Sequence, residues 1–199
     1  MTIVAASNNP KKLIEMTDIL SLNGVNIISQ AEAGITFSPD ETGNTFEENA
    51  RIKAEIIMKL CAMPTVADDS GLEVKALGGE PGVYSARYGG DKCANDKDRV
   101  ELLLRNMHNK EQRDAKFVSC IACVFPNGDI ITSRGEICGE ISRFPRGNGG
   151  FGYDPIFFVP EYNATMAELS PAQKNKISHR AIALAAFRKK LIEYLNMIG

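Results

Sequence analysis

"TIVAASNNPKKLIEMTDIL", residues 2–20, decides the fold. A short β-type run stops at the polar cluster Ser7-Asn8-Asn9. Pro10 then suits the first turn of a helix, with Asn9 as its cap. Leu13, Met16, Thr17 and Leu20 recur at helical spacing, and Gly24 follows as a stop signal. "VNIIS" supplies the next strand. Strand, helix, strand is the opening of an α/β protein.

Working outward, a polar loop from Ala31 to Asn44 leads to Thr45-Phe46-Glu47-Glu48, a capping-box pattern. The helix it opens runs to about Cys61. "TVADD" is a strand, followed by "LEVKAL" and a glycine tract. "NDKDRVELLLRNM" is an amphipathic helix with Val100, Leu103, Leu104 and Met107 on one side. "AKFVSCIACVF" and "DIITSRGEICGEI" are β runs joined by Pro126-Asn127-Gly128-Asp129, where Asn-Gly signals a hairpin. "RGNGGFGYDPIFFVP" is a glycine loop entering an aromatic strand. From Ser170 the chain is helical, in two pieces broken near Ser178. Ala181, Leu184, Ala185, Arg188, Leu191 and Leu195 form the predicted packed stripe. Helices and strands alternate early and a hairpin follows, which predicts a mixed sheet.

The 199 residues suit one domain, or one domain with a lobe, spanning 1–199. With 44% apolar and 24% charged residues the chain reads as globular, and at net charge -2 it lacks the basic stripe of a nucleic-acid binder. The N-terminal apolar run is too short for a signal peptide, and no stretch approaches a membrane span. Five cysteines, an odd number, favour a reducing cytoplasm. Cys120 and Cys123 are spaced C-x-x-C but on a strand, where they point to opposite faces. With no second pair, they read as core thiols rather than zinc ligands.

Several clusters carry possible chemistry. Neither the dinucleotide fingerprint nor G-x-x-x-x-G-K-[ST] is present. Ser7-x-Asn9-x-x-Lys12 stands where a strand meets a helix, so free N–H groups, the helix dipole and a lysine can cradle phosphate. The same residues also describe an ordinary capped helix. Asn49 and Lys53 share a helical face. If that face points inward, Lys53 needs an anion; if outward, it pairs with surface glutamates. Asp68 and Asp69 serve one site only if the strand ends between them, as Ser70-Gly71 permits. One of them, with Glu41, can then hold magnesium, and one can take a proton from an attacking water. The alternative is an acidic turn capped by its own backbone. Phe151 and Tyr153, flanked by glycines in "GGFGYDP", offer rings that either stack on a flat heterocycle or fill a core. Lys174, Ser178, His179 and Arg180 gather at the last helix break, as donors to a carbonyl or as surface. Together these are phosphate donors, metal carboxylates, a ring platform and carbonyl donors, the parts needed for a nucleoside triphosphate.

The motifs S-x-N-x-x-K, "ETGNTFEENARIKA", "ADDSGLEVKALGGEPGVYSARYGG", "GFGYDPIFF" and "SHRAIAL" resemble the inosine triphosphate pyrophosphatase family over nearly the whole chain. The resemblance implies an α/β fold, an elongated mixed twisted sheet with flanking helices and two lobes around a central cleft. It also implies Mg²⁺ dependence, a homodimer, and hydrolysis of ITP, dITP and XTP to monophosphate and pyrophosphate. By motif, Ser7, Asn8, Asn9, Pro10, Lys11 and Lys12 hold the phosphates, and Lys53 neutralises their charge. Glu41 and Asp69 are implied as the metal site, and Asp69 as the general base with Asp68 in support. Ser70 contacts substrate. Phe151, Gly152, Tyr153 and Asp154 form the base pocket, closed by Lys174, His179 and Arg180. Arg87 is left between the triphosphate and a dimer interface. Two other readings remain: a pyrophosphatase for another modified nucleotide, and a regulatory nucleotide-binding module without turnover.

Overall fold

The computed structural model describes residues 1–20, 22 and 24–198. Among the described residues, seven strands, numbered in chain order, form one mixed sheet in the order β2-β1-β3-β4-β5-β6-β7, flanked by helices. Two compact units are distinguished: Met1–Asp69 with Ser119–Gly135 and His179–Gly199, and Ser70–Val118 with Glu136–Ser178.

In the first unit, β1 (Thr2–Ala5) pairs in parallel with β2 (Asn26–Ser29) on one side. On the other side it pairs in parallel with β3 (Thr65–Val74), Val4 opposite Thr65. Alternation along β1 divides its neighbours. Ile3 and Ala5 share a core with Met16 and Leu20 of α1 (Pro10–Leu20) and with Ala183, Leu184, Phe187 and Leu191 of α5 (His179–Ile198). Val4 and Ala6 pack instead with Ala54 and Ile57 of α2 (Phe46–Cys61). The helix starts follow the expected chemistry. Asn9 Oδ1 accepts the N–H groups of Lys11 and Lys12 at 3.0 and 3.3 Å. Thr45 and Glu48 complete the capping box of α2. The backbone turn expected at Asn127-Gly128 joins β4 (Asp114–Val124) to β5 (Ile130–Ile141), with Gly128 at φ 93°.

The second unit holds its own core. Val100 and Leu103 of α3 (Asp96–Asn106) meet Leu72, Val74, Phe117, Ile141 and Phe157, the last from β6 (Phe157–Val159). The Phe117 and Phe157 ring centroids lie 4.4 Å apart. β6 pairs antiparallel with β5 and with the two-residue β7 (Ala164–Thr165). Ser170 and Gln173 cap α4 (Pro171–Ile177), which ends at Ser178 as the sequence predicted.

Three expectations need correction. Ala185 and Arg188 are exposed, and the buried stripe of α5 runs through Ala183, Leu184, Phe187 and Leu191. Its sides differ little in hydrophobicity, so spacing alone did not select the face. Thr17 is exposed on α1, its hydroxyl turned back to the Leu13 carbonyl at 2.9 Å. Most consequential, β3 does not end between Asp68 and Asp69 but continues through both to Val74.

Candidate active site

Because β3 continues, the adjacent carboxylates point apart and find different partners. Both are buried, 2% and 6% exposed. Asp68 Oδ1 accepts the Ser119 hydroxyl at 2.9 Å. Its Oδ2 accepts Arg180 Nε at 2.7 Å and lies 3.3 Å from Lys12 Nζ. Arg180 Nη1 in turn reaches Glu15 Oε2 at 2.8 Å. Burial raises the Asp68 carboxyl pKa, but Lys12 and Arg180 together outweigh it and hold the group far below the usual range. Burial likewise lowers the Lys12 pKa, with Asp68 opposing that shift.

Asp69 belongs to a second cluster. Lys53, on the inward face of α2, donates to Asp69 Oδ1 at 2.9 Å, to Glu41 Oε1 at 2.7 Å and to the Asp68 carbonyl at 3.0 Å. This is the anion a buried lysine requires. Burial lowers the Lys53 pKa, yet Asp69 and Glu41 more than reverse the shift and keep it charged. Burial raises the Asp69 pKa, Glu41 adds to the rise, and Lys53 opposes it. Asp69 Oδ2 is buried and makes no hydrogen bond among the described residues. Two carboxylates thus converge on one ammonium, with a carboxylate oxygen to spare. Their hard oxygens suit Mg²⁺, which takes one or two carboxylates and completes its shell with water and phosphate. Among the described residues there is no group of three or more His, Cys, Asp or Glu side chains that could hold a metal.

The phosphate-binding candidates line the start of α1. Ser7 Oγ accepts the Asn9 N–H at 3.2 Å, so Ser7 and Asn9 order the turn themselves. Asn8, Pro10 and Lys11 are exposed there, and Lys12 is half-buried. Ser70 is half-buried on β3. His179 is buried at the start of α5. A Cβ on Gly135 would come within 2.2 Å of the His179 carbonyl oxygen and 2.4 Å of the Ala183 nitrogen, so β5 reaches that helix only through a glycine.

In the second unit the glycine loop assembles a separate cluster. Lys174 donates to Asp154 Oδ2 at 2.7 Å, and its Nζ stands 5.0 Å from the Phe151 ring centroid. The same Asp154 oxygen accepts the Phe151 N–H at 2.8 Å. The two aromatic rings part ways. Tyr153 is buried in the core with its hydroxyl on the Ser85 carbonyl at 2.9 Å, whereas Phe151 is half-buried. Gly152, at φ 59°, donates its N–H to Asp96 Oδ2 at 2.8 Å. Arg87 lies with its guanidinium 5.1 Å from the Tyr84 ring centroid.

Three of these residues escaped sequence reading: Glu15, Ser119 and Asp96. The first is one acid on an amphipathic helix, the second a serine in a core strand, the third an acid in the first turn of a helix. None has a motif of its own, and only long-range contacts reveal them. Among the described residues no helix is long and apolar enough to cross a membrane. All five cysteines are free thiols.

Comparison with known proteins places this geometry. The Ham1 family model matches residues 3–190. The chain is 49% identical over 192 residues to the dITP/XTP pyrophosphatase of Haemophilus influenzae, covering 95% of this chain and 98% of that one. It is 46% identical to the Bacillus subtilis protein of the same name, with 94% and 96% covered. Its fold matches the Staphylococcus aureus Ham1 protein with TM-score 0.90 at 42% identity, over 98% of this chain and 100% of the other. A HAM1 protein from Coxiella burnetii gives 0.91 at 43% identity, covering 97% and 99%. The resemblance carried by the five motifs is borne out: the chain belongs to the Ham1 family.

Proposed function

We propose that this protein hydrolyses non-standard purine nucleoside triphosphates, dITP, ITP and XTP, to the monophosphate and pyrophosphate. The observation that carries the reading is the buried Lys53–Asp69 pair with half-buried Glu41, in which Asp69 Oδ2 makes no hydrogen bond among the described residues, in a chain close to pyrophosphatases along nearly its full length. Residues 1–199 act as one catalytic domain.

In this reading Ser7, Asn8, Asn9, Pro10, Lys11 and Lys12 bind the phosphates through backbone N–H groups and the lysine charge. Lys53 neutralises charge that builds on the leaving pyrophosphate. Glu41 and Asp69 hold Mg²⁺, which when bound polarises phosphate and activates water. Asp69 accepts the proton of the water that attacks the α-phosphorus, and the bond to the bridging oxygen of the β-phosphate breaks. Arg180, engaged by Asp68 and Glu15, keeps Asp68 charged and in place, and Asp68 in turn holds Lys12. Ser70 contacts substrate. Phe151 is the ring platform for the base, with Gly152, Tyr153 and Asp154 shaping its support and Lys174 donating to it; His179 and Arg180 are substrate contacts. Donors to a 6-keto group are left unpaired by a 6-amino purine, a mismatch that can discriminate by ~10⁴–10⁵-fold. The working form is a cytoplasmic homodimer that removes these nucleotides from the pool.

The test is to incubate the protein with Mg²⁺ and ITP, XTP, dITP, GTP or ATP separately and identify the products. Pyrophosphate and monophosphate from the first three, with little from GTP or ATP, is the expected result. Orthophosphate would put the attack on another phosphorus. Binding without turnover of any nucleotide would favour a regulatory module.

A further inference from the structure

Asn49 has no role in the chemistry above, yet it is fully buried on α2, one turn before Lys53 on the same face. Its Oδ1 accepts the Gly43 N–H at 2.7 Å. That bond settles the amide orientation, because only the oxygen can accept. Nδ2 is therefore turned away from Gly43, and it is buried without a hydrogen bond among the described residues.

Gly43 follows Glu41 by two residues. A Cβ there would lie 2.7 Å from Glu48 Cβ and 2.8 Å from Asn49 Oδ1, so only glycine lets this segment rest against α2. The next two residues are fastened as well. Glu48 Oε2 accepts the Asn44 and Thr45 N–H groups at 2.7 and 3.1 Å. The loop that presents Glu41 is thus bound to the helix that presents Lys53, and of these three backbone bonds the one to Asn49 is nearest to Glu41 in sequence. A residue needed only to fill space would not bury an amide donor with no acceptor.

Resting on the reading that Glu41 and Asp69 hold a divalent cation, we propose that Asn49 is the positioning residue for Glu41. Its amide oxygen sets the distance of the Glu41 loop from Lys53 and Asp69, while its Nδ2 donates to an oxygen that enters with the cation. Loss of such a supporting partner weakens metal binding by ~10–100-fold.

The test measures Mn²⁺ binding to the full-length protein by the paramagnetic resonance signal of free Mn²⁺, without nucleotide. Wild type, Asn49→Ala, Gly43→Ala and the double variant are compared, with each protein's melting temperature. Affinity is expected to fall about tenfold or more in each single variant. The double variant should fall little further, because both changes break one anchor. With Mg²⁺ as the activator, half-saturation should shift upward in parallel while kcat at saturating Mg²⁺ moves less. Mn²⁺ affinity within about twofold of wild type in a folded Asn49→Ala protein overturns the proposal. Additive losses in the double variant overturn it too. If Asn49→Ala does not fold, Asn49→Ser replaces it, with a shorter acceptor and the same expected direction. Wild-type protein that neither binds Mn²⁺ nor turns over nucleotide would instead remove the metal-site reading on which the proposal rests.

Discussion

Arg180 Nε donates to Asp68 Oδ2 across 2.7 Å, and both side chains are almost wholly shut off from water, 2% and 0% exposed. Removing one partner of such a pair costs about 3–5 kcal/mol, because the survivor keeps its charge without compensation. For a chain of this size each kcal/mol is about 2–4 °C of melting temperature. Arg180→Ala should therefore melt some 6–20 °C below wild type. Arg180→Leu combined with Asp68→Leu should lose less than the sum of the two single changes. A drop of under about 2 °C for Arg180→Ala in a thermal scan would show that the pair is not the anchor described.

Acid provides a second view of the same carboxylate. The folded-state pKa of Asp68 lies well below its unfolded value of about 3.9. The stabilisation is then complete above that value and fades as pH falls below it, since the unfolded chain takes up the proton first. The gap in urea midpoint between wild type and Asp68→Asn should hold steady from pH 7 to pH 5. Below about pH 4 it should narrow. A gap that widens on acidification would reverse the sign and contradict the assignment.

Asp69→Asn preserves shape but not basicity. Nucleotide binding should survive while turnover falls by about 10²–10⁴-fold, the contribution of a positioned base. Rapid-quench measurement of single turnovers, beside equilibrium binding, separates the two. Unchanged single-turnover rates would move the proton acceptor elsewhere.

The two rings of the glycine loop should behave differently. Phe151→Leu removes the proposed stacking surface, and base stacking is worth about 1–3 kcal/mol, so KM for XTP should rise about 5–150-fold with little change in melting temperature. Tyr153→Phe removes the hydroxyl from the Ser85 carbonyl, and its effect of about 1 kcal/mol should appear in stability instead. Steady-state kinetics and a thermal scan on both variants check the division.

Thiol reactivity should follow burial. The Cys120 thiol is raised by burial to about 11, and Cys123 is also raised by burial, whereas Cys138 is exposed. Iodoacetamide on the folded protein at pH 8 should label Cys138 and spare Cys120 and Cys123. Labelling of Cys120 at a comparable rate, seen by peptide mass spectrometry, would mean that its strand opens readily.

Local chemistry made much of this structure readable. The capping box at Thr45, the Asn9 cap and the Asn-Gly turn each act within a few residues, so sequence spacing reports them directly. Lys53 shares its helical face with Asn49, so its sequence leaves inward and outward placements open, and the fold selects the inward one. Asp-Asp-Ser-Gly could not be read correctly, since these residues disfavour strands and favour turns. They stay in β3 because Lys12, Lys53, Ser119 and Arg180 satisfy the two acids from distant parts of the chain. The Asp68 and Glu15 partners of Arg180 are invisible for the same reason: nothing near it in sequence reveals either acid. The roles of Phe151 and Tyr153 looked alike until their depths were known.

Lys53 has three ammonium protons, and three acceptors already hold them: Glu41, Asp69 and the Asp68 carbonyl. An incoming phosphate oxygen can gain one of these protons only if an existing acceptor releases it. The carbonyl is fixed in a strand, so a carboxylate is the one free to turn away. Anion capture by Lys53 and release of a carboxylate are therefore a single event. In the proposed reaction the acids stay tethered until the polyanion arrives, and its arrival unties one of them.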